Sequence, residues 1–153
     1  VAMLGLSPHP EGGFYRELYR SSRAVTPDDG RSSRPMLTTI YFLLPAGAVS
    51  RWHRVASDEV WHCIEGAPLE IVALSDTGDA LDRHAIGALD KNCVPEHVVP
   101  AGAWQAARST GAYTLVSCVV GPGFTFEDFS MLRDAPEESA RVVRSCPDAA
   151  PYV

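Results

Sequence analysis

Between Gly47 and Gly66 the chain reads GAVSRWHRVASDEVWHCIEG, and this stretch concentrates the residues best suited to chemistry. A histidine titrates near neutral pH and can give or take a proton, and a carboxylate close by fixes its tautomer and stabilises the imidazolium. His53 and Glu59 supply that pair. Strand periodicity over Val49–Val55 sends Arg51, His53 and Val55 to one face and Trp52 and Arg54 to the other. Ala56-Ser-Asp58 then reverses the chain. Glu59 enters the next strand beside His53, with Trp61 and Cys63 on its own face and His62 on the opposite one unless a bulge intervenes. The pairing suits proton abstraction beside a carbonyl. The competing reading has His53 and Glu59 hydrogen-bonded to one another inside a packed interior, without chemistry.

Two residues nearer the N-terminus extend the candidate site. Glu11 sits in Pro10-Glu-Gly-Gly13, just before a strand; the glycines permit unusual backbone angles, so the motif reads either as a tight entry turn or as a way to bring Glu11 to a pocket. Arg16 carries a bidentate fork suited to a ligand carboxylate or phosphate, against the alternative of an exposed edge-strand arginine. Trp52, Trp61 and Trp104 read as core or interface. Trp61 is the exception, because it shares a face with Glu59 and can stack on a substrate or close a pocket floor. Phe124, Phe126 and Phe129 are expected to plug a barrel end or pack at a dimer contact. His9, His84 and His97 lack companions at ligand spacing and read as structural or exposed.

The elements that must position these groups are short β-type runs separated by Gly, Pro and Asp, the pattern of a sandwich or barrel. Strands are predicted at Gly13–Arg20, Met36–Leu44, Val49–Val55, Val60–Ile64, Leu69–Leu74, Leu81–Ile86, Glu96–Val99, Trp104–Arg108 and Tyr113–Val120. Turns separate them, one of them at Asp76-Thr-Gly78. Asp134–Val143 alone reads as a helix, with Pro136 in its first turn and Glu137 and Glu138 at its positive end.

With 153 residues, 46% of them hydrophobic, the chain has material for one continuous core, and a single domain over residues 1–153 is expected. A net charge of −6 argues against a nucleic-acid partner, which needs a basic footprint. Cys63, Cys93, Cys118 and Cys146 show neither CxxC pairing nor metal spacing and are expected to be reduced thiols. No apolar run is long enough to span a bilayer and no secretory signal is evident, so neither a membrane partner nor export is expected and the location is read as cytoplasmic.

Gly47, His53, Glu59 and Gly66 also resemble the first motif of the cupin superfamily at its spacing, with Val55 where the motif has its second histidine. Pro100-Ala-Gly102-Ala-Trp-Gln105 resembles the second motif, with Gln105 in place of histidine. The runs PEGGFYRE at Pro10–Glu17, HRVASDEVWH at His53–His62 and PGFTFEDF at Pro122–Phe129 are similar to the family called cupin-5, formerly a domain of unknown function. The resemblance implies an all-β jelly-roll barrel, a homodimer, and sugar-isomerase-like activity or small-molecule binding.

Many cupins hold a divalent ion through three histidines and a glutamate. Here half that set is gone, so no cofactor is the leading expectation, and a divalent metal on His53, Glu59 and Gln105 is the alternative. The metal-free epimerases of the superfamily pair a histidine base with a tyrosine acid. Among Tyr15, Tyr41 and Tyr113 on predicted strands, Tyr113 is preferred because it opens the long strand after Gln105. The expected site thus has His53, Glu59 and Tyr113 as catalytic groups and Glu11, Arg16, Trp61, Gln105 and Ser117 as substrate contacts. The leading function is a metal-independent isomerase or epimerase of a polar, sugar-like carbonyl compound. Its rivals are a metal-dependent oxygenase or hydrolase and a non-catalytic binding or sensor module.

Overall fold

The computed structural model describes residues 1–75 and 77–153; Asp76, expected in a turn, lies outside the described residues. Strands follow one another as β1 (Ser7–Pro8), β2 (Phe14–Arg20), β3 (Ala24–Val25), β4 (Arg34–Pro35), β5 (Thr38–Pro45), β6 (Val49–Val55) and β7 (Asp58–Gly66), then β8 (Leu69–Leu74), β9 (Leu81–Ile86), β10 (Glu96–Val99), β11 (Gln105–Ser109), β12 (Tyr113–Gly121) and β13 (Phe129–Met131). A helix, α1 (Pro136–Ser145), and a 3₁₀ segment at Pro147–Tyr152 end the chain. The nine predicted strands are all present. β1, β3, β4 and β13 are too short to show an alternating pattern. The helix starts at Pro136 because proline occupies its first turn, where a missing N–H costs nothing.

Two antiparallel sheets form the jelly roll. The larger has the order β1-β2-β5-β12-β7-β10, and the smaller β13-β6-β11-β8-β9. Between them Phe42, Leu44, Trp61, Leu69, Ile71, Ile86, Val99 and Val116 form one apolar cluster. β12 runs from this packed end toward an open end. Tyr113 pairs with Pro45 at the packed end and Val120 with Thr38 at the open one, a span of roughly 20 Å at strand rise.

A second cluster lies behind the smaller sheet, where Trp52, Trp104 and Val72 meet Leu132, Val142, Ala149 and Tyr152. The indole N–H of Trp52 donates to the Ala149 carbonyl at 2.8 Å, and that of Trp104 to Glu138 at 3.0 Å. The C-terminal elements are thus fastened to the outer face of β6. All four cysteines are free thiols, as their spacing predicts. No helix among the described residues is long and apolar enough to cross a membrane.

Candidate active site

Glu11 reaches the barrel interior because the two glycines after it let the chain lie directly on β6. Gly12 has φ +114°, and a Cβ there would stand 2.2 Å from the Val49 carbonyl oxygen. The Arg51 N–H donates to the Glu11 carbonyl at 2.9 Å, which locks the approach. Of the two readings of this motif, the structure realises both: a tight turn that delivers a buried carboxyl, 5% exposed.

β6 contains a bulge. Gln105 of β11 pairs with His53 and Ala107 pairs with Ser50, so β6 carries one more residue than its partner between these points. The parity of the strand changes there. Ser50 and His53 therefore share the interior, which corrects the expectation that Arg51 lies on the face of His53. The Ser50 hydroxyl donates to Glu11 Oε1 at 2.6 Å. His53 Nδ1 is 2.8 Å from the Arg51 carbonyl oxygen, which can only accept, so Nδ1 carries a proton and Nε2 is the nitrogen left for chemistry. That Nε2 lies 3.4 Å from Glu11 Oε2, and His9 Nδ1 lies 3.3 Å from the same oxygen. The carboxylate partner of His53 is thus Glu11, where the sequence pointed to Glu59.

Glu59 enters from β7, opposite Val120 and Val99. The Trp61 indole N–H donates to Gln105 Oε1 at 2.9 Å, and Gln105 Nε2 donates to Glu59 Oε2 at 2.7 Å. An indole nitrogen is only a donor, so it fixes the orientation of the amide and directs the Gln105 NH₂ at Glu59. One oxygen of Glu59 is occupied in this way. The Cys118 thiol is a further hydrogen-bond neighbour of this carboxyl, which lines the cavity.

The two buried carboxyls are driven apart in acidity. Burial works against ionising Glu11 but is outweighed by the charge of His53, the hydrogen bond and charge of His9 and the Ser50 hydroxyl, so its pKa is lowered. For Glu59 burial dominates, opposed by His53 and reinforced by the negative charge of Glu11, and its pKa is raised. Neighbouring titratable groups pushed in opposite directions are a signature of acid–base sites.

A cavity of about 150 Å³ opens above these groups. His9, Glu11, His53, Glu59, Trp61 and Cys118 line it with Phe42, Ile40, Val55 and Val120, and Phe124, Thr125, Phe126 and Phe129 form one wall. Burial pushes the Cys118 thiol well up, so it stays protonated. The phenylalanines expected at a barrel end or dimer contact are therefore cavity walls. Asp128, in the 3₁₀ turn between them, is held by Arg31 at 3.2 Å and by the buried Arg34, which straps this wall in place.

Of the expected site residues, His53, Glu59, Glu11 and Trp61 line the cavity and Gln105 supports it from behind. Three are elsewhere. Tyr113 stands at the opposite end of β12, 37% exposed, with its hydroxyl on Glu65. Ser117 lies opposite His62 and Tyr41 on the outer face, its hydroxyl 3.2 Å from that of Thr39, and the cavity receives Cys118 instead. Arg16 is also outside, over the Tyr41 ring at 5.9 Å. A bulge in β2 between Glu17 and Tyr19 turns Arg20 inward. His9 was missed because its partner, Glu11, is two residues away in a loop, where periodicity gives no signal. His84 and His97 also found a companion, stacked on each other at 3.8 Å where the two sheets meet.

A family model described as Cupin superfamily (DUF985) matches residues 1–132. The chain belongs to the cupin superfamily. A hypothetical protein from Leishmania major is 33% identical with a TM-score of 0.79, covering 94% of this chain and 93% of its own. Protein SO0799 from Shewanella oneidensis is 38% identical with a TM-score of 0.75, covering 85% of this chain and 80% of its own. The uncharacterized protein YML079W of Saccharomyces cerevisiae is 29% identical over 148 residues, 86% of this cupin and 73% of the yeast protein. Oxalate decarboxylase from Bacillus subtilis, at 15% identity and a TM-score of 0.59, shares the fold alone.

Cupins of that fold include one with Mn(II) centres, so a divalent metal is compatible with the architecture. The residues of this chain do not fit one at the superfamily's position. Val55 has no donor atom, and Gln105 spends its amide oxygen on Trp61 and turns its NH₂ toward Glu59. Among the described residues no group of three His, Cys, Asp or Glu side chains is disposed to hold a metal ion.

Proposed function

We propose that this cupin catalyses proton transfer beside a carbonyl, as an isomerase or epimerase of a small molecule, without a metal. The observation that carries the reading is the convergence of Glu11, Glu59 and His53 on one cavity, with His53 Nδ1 committed to the Arg51 carbonyl and Nε2 3.4 Å from Glu11; the opposite shifts of the two carboxyls support it. His53, protonated at Nε2 and balanced by the Glu11 carboxylate, is the acid. Glu59, made more basic by burial, is the base.

The step balances within these groups. The Glu59 carboxylate takes the proton α to the carbonyl, the C–H electron pair becomes the C=C bond of an enol, and the carbonyl oxygen takes the proton from His53 Nε2. Reversal at the same carbon exchanges its proton and restores both residues; where that carbon bears a hydroxyl the enol is an enediol, and Glu59 returns its proton to the former carbonyl carbon while the second hydroxyl gives its proton to His53 Nε2, which completes an isomerisation. The acid is His53 in place of Tyr113, whose position at the far end of β12 keeps it from the reacting atoms. Gln105 is a positioning residue for Glu59.

The test is solvent deuterium exchange into the α-carbon of small ketones, followed by NMR. Wild-type protein is expected to exchange at least about 100-fold faster than His53→Gln, with binding retained in the variant. Equal rates sink the proposal.

We also propose a homodimer through the outer face of the larger sheet. Support comes from Val98, exposed beside Val60 and in line with Val119 on that face. Sedimentation should return twice the chain mass, and Val98→Arg should return one chain mass. A monomeric wild-type protein rejects the dimer.

A further inference from the structure

We infer that the substrate is a small uncharged carbonyl compound with an apolar body about the size of one carbocyclic ring, and that sugars, phosphorylated compounds and nucleotide-linked compounds are excluded. This rests on the proton-transfer reading and narrows it.

Charge comes first. Arg20 is the cation at the mouth, and its charge is already paired with Glu17, with three of its five N–H donors committed. Nε and Nη2 grip the two oxygens of Glu17 at 3.1 and 2.6 Å, and Nη1 donates to the Phe124 carbonyl at 3.0 Å. No other arginine, and no lysine, lines the cavity among the described residues. A phosphate or carboxylate entering here would meet Glu17, Glu11 and Glu59 without a free cation to balance it, and burying an unbalanced charge is strongly unfavourable.

Polarity comes next. The buried ionisable groups that can address a ligand's polar atoms are gathered around His53 and Glu59, and the wall adds one buried hydroxyl without a partner among the described residues, that of Thr125. Above them stand Phe42, Phe124, Phe126, Phe129, Ile40 and Val120. The hydroxyls of Tyr15, Thr38 and Thr125 complete the lining, and that of Thr38 already accepts the Phe124 N–H at 2.9 Å. A sugar ring would bring several hydroxyls against aromatic faces that cannot bond them, and each unmet hydroxyl opposes binding. One polar end and an apolar body fit the distribution.

Size closes the case. A space of about 150 Å³ is the scale of a cavity that takes up a single benzene ring. A nucleotide does not fit within it.

The experiment uses the full chain and three probes: cyclohexanone, D-glucose and UDP-glucose. Each is titrated while the indole N–H signals of the tryptophans are followed by NMR, with the Trp61 signal identified by its loss in Trp61→Phe. Cyclohexanone is expected to saturate with a Kd of about a millimolar and to shift the Trp61 signal most, while the two sugars give no saturable change. Saturation by either sugar, absence of cyclohexanone binding, or a shift centred away from Trp61 overturns the inference. Cyclohexanone bound at Trp61 but exchanging α-deuterium no faster in wild type than in His53→Gln upholds the ligand class and removes the proton-transfer reading.

Discussion

His53 Nε2 faces Glu11 Oε2 at 3.4 Å while His53 Nδ1 donates to the carbonyl of Arg51 two residues back along the same strand. The imidazole is thereby held at both nitrogens, one by backbone and one by a carboxylate from a separate loop. That loop is as much a part of the site as β6 is.

Glu11→Gln removes the carboxylate charge that stands 3.4 Å from His53 Nε2. An opposite charge at this distance favours the charged imidazole by about 2 kcal/mol, so α-deuterium exchange should fall roughly 30-fold. Kinetics on purified Glu11→Gln against wild type decide it. An unchanged rate removes Glu11 from the chemistry.

The two carboxyls should give opposite dependences of stability on pH. Glu11 has a folded pKa below the ordinary 4.5, so its stabilisation is present above 4.5 and is lost as pH falls through the folded value. Glu59 has a folded pKa above 4.5, so its favourable contribution is complete below 4.5 and is lost as pH rises through the folded value. Thermal melts across pH should therefore show Glu59→Gln gaining on wild type as pH rises toward neutrality. Glu11→Gln should lose ground over its own window. Parallel curves for the two variants contradict the arrangement.

Tyr113→Phe should leave exchange kinetics unchanged and alter stability by no more than about 0.5 kcal/mol, because its hydroxyl reaches only the exposed Glu65. A loss of activity in this variant would return the tyrosine to the mechanism.

Elemental analysis of protein purified without chelator should find no stoichiometric divalent metal. A stoichiometric ion that disappears in His53→Ala would establish the metal-dependent alternative with His53, Glu59 and Gln105.

Asp128→Asn should destabilise the fold by about 3 kcal/mol, since Arg34 is 4% exposed and loses its counter-charge. The variant should also raise KM more than it lowers kcat, because the wall carrying Phe126 and Phe129 is loosened while the floor is untouched. Urea melts and steady-state kinetics test the two parts separately.

The barrel was legible because strand periodicity and turn residues are local. Val49–Val55, Leu69–Leu74, Leu81–Ile86 and Glu96–Val99 have the predicted limits. The site was legible only as far as parity holds. His53, Glu59 and Trp61 were found from alternation, but the bulge in β6 exchanges Ser50 for Arg51, and the one in β2 turns Arg20 inward where alternation from Tyr15 and Glu17 would bring Tyr19. A bulge is set by pairing with a neighbouring strand and leaves no mark on its own segment. The link from His9 and Glu11 to His53 depends on a loop laid across β6, and Tyr113 falls outside the site because it opens β12 at the end away from the cavity.

The bond from Trp52 to Ala149 gives the chain's tail a reach beyond its own surface. Trp52 immediately precedes His53, so the rear of β6 is a wall shared by two compartments, one holding the tail and the other the reactive nitrogen. The tail and the cavity thus lean on opposite sides of one strand, and the packing of Pro147–Tyr152 is a boundary condition for the segment that carries His53.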